Sequence, residues 1–119
     1  MTILGIDHVQ VAAPAGCEDA ARAFYGALLG LDEIPKPEAL ASRGGCWFRA
    51  GAQELHVGVE EPFAPARKAH PAFAVADLDA LAARLATADC AIARDDSLPG
   101  VRRFYCADPF GNRIEFLED

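Results

Sequence analysis

The chain has 119 residues, of which 52% are hydrophobic and 24% charged, a composition typical of one folded globular domain and not of a disordered chain. Its formal net charge of −7 argues against a nucleic-acid or anionic-membrane partner, and no apolar run approaches the roughly 20 residues of a membrane span. The N-terminus lacks the pattern of a signal peptide, and the four scattered cysteines form no C-x-x-C pair, so we expect reduced thiols in a cytoplasmic protein.

The first half of the sequence predicts a strand, a helix and three further strands. Residues 6–14 alternate as a half-buried strand that ends at proline. Residues 16–30 follow as a helix with acidic residues in its first turn and Phe24 and Leu28 on its buried stripe. A short strand over residues 31–35 precedes a hairpin over residues 46–59 that turns near Ala50–Ala52.

The second half repeats this order after a proline-rich connector over residues 60–69. Residues 70–75 predict a strand, and Asp77 is the expected N-cap of a helix with Leu78, Leu81 and Leu85 on its buried face. A short strand follows over residues 90–94. Residues 101–118 then predict two strands around a D-P-F-G-N turn.

This repetition predicts an α+β fold of two βαβββ modules within a single domain that spans residues 1–119. Module 1 covers about residues 1–60 and module 2 about residues 70–119, so the repeat is about 60 residues long. His8 and His70 occupy matching places in the two modules, as do His56 and Glu115.

Four polar side chains lie on the predicted strand face that is opposite the larger apolar residues. They are His8, His56, His70 and Glu115, and they include every histidine of the chain. Three imidazoles and a carboxylate suit a divalent transition metal such as zinc, nickel, manganese, iron or cobalt, which acts as a Lewis acid. Taken singly, each histidine also fits a hydrogen-bonded strand residue, and Glu115 fits an ion pair with Arg113.

With these residues assembled, the sequence resembles the vicinal oxygen chelate superfamily, the glyoxalase/bleomycin resistance/dioxygenase group. The resemblance spans the whole chain, and its most specific part is the last segment. The segments that carry it are IDHVQVAAP, ARAFYGALLGL, ELHVGV, HPAFAVADLDALAARL and FYCADPFGNRIEFLE.

The resemblance implies that the sheets of the two modules curl together into a cupped mixed sheet around the site. It also implies a homodimer and a small-molecule substrate. His8, His56, His70 and Glu115 match the family's metal-ligand positions on the first, fourth, fifth and eighth strands, and Glu115 would also be the catalytic proton shuttle.

Departures from individual subfamilies leave the reaction open. Glyoxalase I proteins have a carboxylate where this chain has His56, and Glu54 could replace it only with a register shift. Extradiol dioxygenases need two histidines and one glutamate, which His8, His70 and Glu115 could provide. Bleomycin-binding members generally lack the ligands.

We therefore expect a glyoxalase-like metalloenzyme whose substrate chelates the metal through adjacent oxygens, with lyase or isomerase chemistry. The alternatives are an iron-dependent extradiol dioxygenase and a non-catalytic binding or antibiotic-resistance protein. The candidate substrate-binding residues, led by Arg113 as a bidentate donor to an anionic group, are Arg113, Glu54, Arg49, Arg103 and Tyr105.

Overall fold

Each half of the chain forms its own four-stranded mixed sheet. The computed structural model describes all 119 residues and divides into two units, Met1–Ala64 and Pro65–Asp119. The boundary between the units falls within the predicted proline-rich connector. None of the helices has the length and apolar character needed to cross a membrane.

The first unit contains a sheet with the strand order β1-β4-β3-β2. Strand β1 runs parallel to β4, and the other neighbours are antiparallel. Its elements in chain order are β1 (His8–Ala13), α1 (Glu18–Ala21) continued by a π-helical segment (Arg22–Leu28), β2 (Asp32–Ile34), a 3₁₀-helix (Glu38–Arg43), β3 (Cys46–Ala50) and β4 (Gln53–Val59).

The second unit repeats this topology with the strand order β5-β8-β7-β6. Strand β5 is parallel to β8, and β7 is antiparallel to both of its neighbours, β8 and β6. Its elements are β5 (Ala72–Val75), α2 (Leu78–Thr87), β6 (Ala93–Arg94), β7 (Arg103–Ala107) and β8 (Arg113–Glu118). The predicted βαβββ modules are confirmed.

The two sheets separate apolar from polar side chains by the period of two that strands impose. In the first unit Leu55, Val57 and Phe48 are fully buried on one face. In the second unit Ile114 and Phe116 of β8 are buried in the same way. The opposite faces are therefore left for the polar residues of β4 and β8.

The first helix differs from its prediction as one α-helix over residues 16–30. Only one turn is α-helical, and the following seven residues form wider π-turns in which Leu29 N donates to Phe24 O over 2.8 Å. The wider turn brings Tyr25 into the core beside Phe24 and leaves Leu28 only half-buried. The predicted stripe was therefore wrong at Leu28, because it assumed 3.6 residues per turn.

The second helix begins where the sequence predicted. The Asp77 side chain accepts a hydrogen bond from Ala80 N over 3.0 Å, which satisfies one of the unpaired amides of the first turn. Leu78 and Leu85 are buried as expected, but Ala82 and not Leu81 completes the buried row.

The predicted D-P-F-G-N turn fixes the start of β8. The buried Asp108 side chain accepts hydrogen bonds from Phe110 N and Asn112 N, each over 2.9 Å. Asn112 in turn uses its Oδ1 to accept from Ala66 N over 3.0 Å. These contacts hold the residues that immediately precede Arg113.

Candidate functional site

The strand register gives the candidate ligands of the two units equivalent positions. In the first unit Gln10 pairs with His56, so His8 lies two residues before the partner of His56. In the second unit Ala72 pairs with Glu115, so His70 lies two residues before the partner of Glu115. One difference from the sequence prediction is that β5 begins at Ala72, and His70 therefore precedes the strand that was expected to contain it.

In the second unit His70 and Glu115 are in direct contact. His70 Nε2 lies 2.8 Å from Glu115 Oε1, and the other ring nitrogen, Nδ1, lies 2.7 Å from Lys68 O. A carbonyl oxygen only accepts, so Nδ1 carries a proton. A neutral ring then presents a lone pair at Nε2 to a carboxylate oxygen, and a proton or another cation is needed to make that contact attractive.

Arg103 supports the second oxygen of Glu115. Its Nη1 lies 3.4 Å from Glu115 Oε2 and donates to the Tyr105 hydroxyl over 2.9 Å. Its Nη2 donates to Asp95 Oδ2 over 3.1 Å and to Ser97 Oγ over 3.0 Å. Only 12% of the Arg103 side chain is exposed, and its buried Nε has no hydrogen-bond partner.

The charges around Arg103 reinforce its ionised form. Burial alone would lower the pKa of Arg103, but the hydrogen bond to Glu115 and the charge of Asp95 outweigh that effect and raise the pKa. Hydrogen bonds from Ser97, followed by the charge of Arg103, lower the pKa of Asp95. Arg103 is therefore a fixed cation between two carboxylates.

Tyr105 connects the other residues of this face. Its ring meets the His70 ring edge-on at 5.4 Å between centroids, and the Arg113 guanidinium lies 4.0 Å above it. No carboxylate lies within ion-pair distance of Arg113. The ion pair between Arg113 and Glu115 that the sequence allowed is therefore absent, and His70 and Arg103 occupy the two oxygens of Glu115.

In the first unit His56 lies between two aromatic rings. The Trp47 ring is stacked on it at 3.8 Å with an interplanar angle of 4°, and the His8 ring at 4.2 Å with an angle of 15°. His56 Nε2 donates to Glu54 Oε1 over 2.9 Å, and His8 Nδ1 donates to Asp7 Oδ1 over 2.9 Å. His56 is buried, whereas His8 is exposed.

Register also assigns faces to the arginines. Arg49 pairs with Glu54 and lies on the His56 face as an exposed residue of β3. Arg103 lies on the Glu115 face, because Tyr105, two residues further along β7, pairs with Glu115. Arg102 lies on the opposite face, where it pairs with Asp79 and Glu118.

The donor types in each pair, imidazole nitrogen and carboxylate oxygen, are ones that divalent transition metals accept. In each histidine one ring N–H donates to an oxygen acceptor, namely Asp7, Glu54 or the carbonyl of Lys68, so that the other nitrogen is the one free for a metal when the ring is neutral. This pattern is typical of metal-binding histidines, whose second nitrogen is held by a carboxylate or a carbonyl. The first unit contains His8 and His56, the second His70 and Glu115, and nowhere do three or more such side chains gather closely enough to hold an ion.

Some residues of these clusters were not predicted from the sequence. Asp95 and Ser97 lie in an irregular segment, where no periodicity indicates a direction for their side chains. Trp47 was not among the candidate residues, and the register puts it beside His56, while the candidate Tyr105 lies beside Glu115.

The fold and these clusters define a vicinal oxygen chelate domain, and comparison with known families agrees. Residues 5–116 match the Glyoxalase/Bleomycin resistance protein/Dioxygenase superfamily, and the chain belongs to this family. No curated protein sequence matches the chain.

Solved structures give the same result for the fold. A glyoxalase family protein from Bacillus anthracis is 57% identical, with a TM-score of 0.97 over 100% of this chain and 98% of that one. Lactoylglutathione lyase from Agrobacterium tumefaciens is 22% identical, with a TM-score of 0.77 over 99% and 96% of the two chains. The fosfomycin resistance protein FosX from Listeria monocytogenes is 15% identical, with a TM-score of 0.76 over 99% and 95%. The last two similarities concern the fold alone.

Proposed function

We propose that this protein is a metal-dependent enzyme of glyoxalase-like type, with lyase or isomerase chemistry on a small molecule that has adjacent oxygens. The contact that carries the proposal is the one between His70 and Glu115. His70 Nε2 and Glu115 Oε1 face each other 2.8 Å apart, and Lys68 O accepts from the other ring nitrogen, so a cation that replaces the proton between Nε2 and Oε1 would find a nitrogen and an oxygen donor already side by side. A divalent cation suits such a pair.

The proposed ligands are His8 and His56 in the first unit and His70 and Glu115 in the second. A bound zinc, nickel, manganese, iron or cobalt ion would supply Lewis acidity toward a substrate carbonyl. The hydrogen bonds at Asp7, Glu54 and the Lys68 carbonyl support the assignment, because they fix which nitrogen of each ring stays free. In this scheme Glu54 orients His56 and is not itself a ligand.

Glu115 is the proposed acid-base group of the reaction. Glu115 is largely buried, and its two oxygens are held by different partners. A proton moved to Glu115 would therefore arrive at Oε1. The other oxygen stays on Arg103.

Arg113 is the proposed contact for an anionic group of the substrate. It stacks on Tyr105 and has no carboxylate partner, so its donors remain available. Arg113 and Glu115 lie on one strand face two residues apart, which corresponds to about 7 Å along the strand. The anionic group would therefore lie a few bonds from the reacting carbon. Arg49, which is exposed beside Glu54, is a further candidate in the first unit.

Metal analysis of the purified protein is the first test. We expect about one zinc, nickel, manganese or cobalt ion per chain, retained in Glu118→Gln and lost in Glu115→Gln. Glu118 is the matched control because it lies on β8 and faces Arg102 instead of His70. Failure to take up any divalent metal would contradict the proposal.

A substrate panel with the matching metal is the second test. We expect turnover of an α-hydroxycarbonyl compound or a hemithioacetal without oxygen consumption. Stoichiometric iron with oxygen uptake on catechols would instead establish the dioxygenase alternative, with His8, His70 and Glu115 as ligands. Binding of a drug-sized ligand by a protein that turns over nothing would favour the non-catalytic alternative.

We also propose that the chain is a homodimer, as the family resemblance implies. Exposed apolar residues at its N-terminus, among them Ile3, Leu4 and Ile6, support an interface there. Sedimentation equilibrium should give twice the chain mass, and the mass of one chain at micromolar concentration would contradict this proposal.

A further inference from the structure

The two oxygens of Glu115 are held by two different residues. Oε1 faces His70 Nε2 at 2.8 Å, and Oε2 faces Arg103 Nη1 at 3.4 Å. A carboxylate can rotate about its last side-chain bond at little cost, because that torsion is broad and roughly two-fold. The contact to Arg103 opposes this rotation and keeps Oε1 directed at His70.

Arg103 is itself rigidly held. Its two terminal nitrogens contact Asp95, Ser97 and Tyr105 at 2.9 to 3.1 Å in addition to Glu115. These partners come from β7 itself and from the segment between β6 and β7. The guanidinium is planar, with its donors in a fixed fork, so several simultaneous contacts determine its orientation.

Arg103 has no donor left for a substrate. Both terminal nitrogens are engaged, and the remaining Nε is buried without access to solvent. Arg113 differs in each respect, since it contacts no carboxylate and only stacks on Tyr105. The two arginines of this face are therefore suited to different tasks.

We infer that Arg103 is a positioning residue that acts through Glu115. It fixes Oε2 so that Oε1 stays directed at His70, and it connects Glu115 to Asp95 and Ser97. It does not bind substrate. The inference rests on the proposed function in that Glu115 is taken to be a metal ligand.

Nickel titration calorimetry on three variants tests the inference. Arg103→Met removes the fork, and we expect Ni²⁺ affinity to fall about 10- to 100-fold, the usual loss when the partner of a metal ligand is removed. Arg103→Lys keeps the charge but not the fork, so its Ni²⁺ affinity should lie between those of the wild type and Arg103→Met. Arg102→Met is the matched control, because Arg102 is the adjacent residue on the opposite face, and it should bind as the wild type does.

Asp95→Asn is the second test variant, for the case in which Arg103→Met fails to fold. Asp95 lies in an irregular segment and is partly exposed, so the fold should tolerate the change. Loosening Arg103 in this way should lower Ni²⁺ affinity about 3- to 10-fold, less than its removal does. Wild-type affinity in both Asp95→Asn and Arg103→Lys would overturn the inference.

Histidine ring NMR of the metal-free protein separates this inference from the proposed function. The chain has three histidines, so each ring can be assigned. Arg103→Met should change the ring-nitrogen chemical shifts of His70 and leave those of His8 and His56 unchanged. If Arg103→Met does not fold, Asp95→Asn takes its place. An unchanged His70 would overturn the positioning role even if metal binds, whereas a shifted His70 in a protein that binds no metal would refute only the metal proposal.

Discussion

Replacing His70 by alanine should remove metal binding and leave the fold intact. His70 precedes β5, its side chain is 22% exposed, and it makes two polar contacts and one edge contact with Tyr105. A net value of about 1 kcal/mol per hydrogen bond gives a loss of about 1–2 kcal/mol. A phenylalanine-to-alanine change in the core, by contrast, costs about 3–5 kcal/mol.

Thermal unfolding with and without nickel measures both effects. At a concentration of 100 Kd the metal should stabilise the wild type by about 2.7 kcal/mol, which is about 10 °C in Tm for a domain of this size. A loss of affinity of about 100-fold or more in His70→Ala leaves at most about 0.4 kcal/mol, or about 2 °C. The metal-free Tm of the variant should be lower by about 4–8 °C.

Two results would refute this reasoning. If His70→Ala keeps the full nickel-dependent shift, His70 is not a ligand. If the variant unfolds at room temperature and the wild type shows no shift with any divalent metal, His70 is a structural residue and the site is wrongly assigned. Arg102→Met should keep the full shift and so controls for a general loss of stability.

Three further predictions concern the fold and the thiols. Gly45→Ala should lower the stability by about 3 kcal/mol or more, because Gly45 has φ +85° and a Cβ there would overlap a carbonyl oxygen of β4. Gly51→Ala, at φ +62° in open space, should lower it by only about 1–2 kcal/mol. Equal losses of stability in urea titrations of the two variants would contradict this prediction. Asp77→Ala should lower the stability by about 1 kcal/mol through loss of the helix cap, without a change in the nickel shift. Burial raises the pKa of Cys17 to about 11, so at pH 8 only about one Cys17 thiol in a thousand is ionised. Mass spectrometry after brief alkylation should find Cys17 unmodified and the half-exposed Cys90 modified. Modification of Cys17 before Cys90 would refute the argument.

Strand periodicity predicted the faces of His56 and Glu115 correctly. A period of two leaves little choice once Leu55 and Val57 are assigned to the core, so the direction of His56 follows, and the same holds for Glu115 between Ile114 and Phe116.

The partners of the ligands could not be predicted in this way. Arg103 reaches Asp95 and Ser97 through an irregular segment whose path depends on tertiary packing. The widened first helix has no local sequence signal either, and its preference for Tyr25 over Leu28 in the core follows from the fit of the aromatic ring beside Phe48, at 5.8 Å between centroids. Period and parity thus determine directions, whereas contacts across loops depend on the completed fold.

The stacking of Trp47 on His56 makes ion binding in the first half of the chain observable by indole fluorescence. Trp47 is the only tryptophan and lies in the first unit, while Tyr105, beside His70, is the only tyrosine of the second. A paramagnetic ion held near His56 would quench the indole of Trp47, and one held near His70 would quench the phenol of Tyr105 and leave the Tyr25 part of the tyrosine fluorescence. The order in which the two signals fade during a titration would reveal which pair of donors captures the ion first.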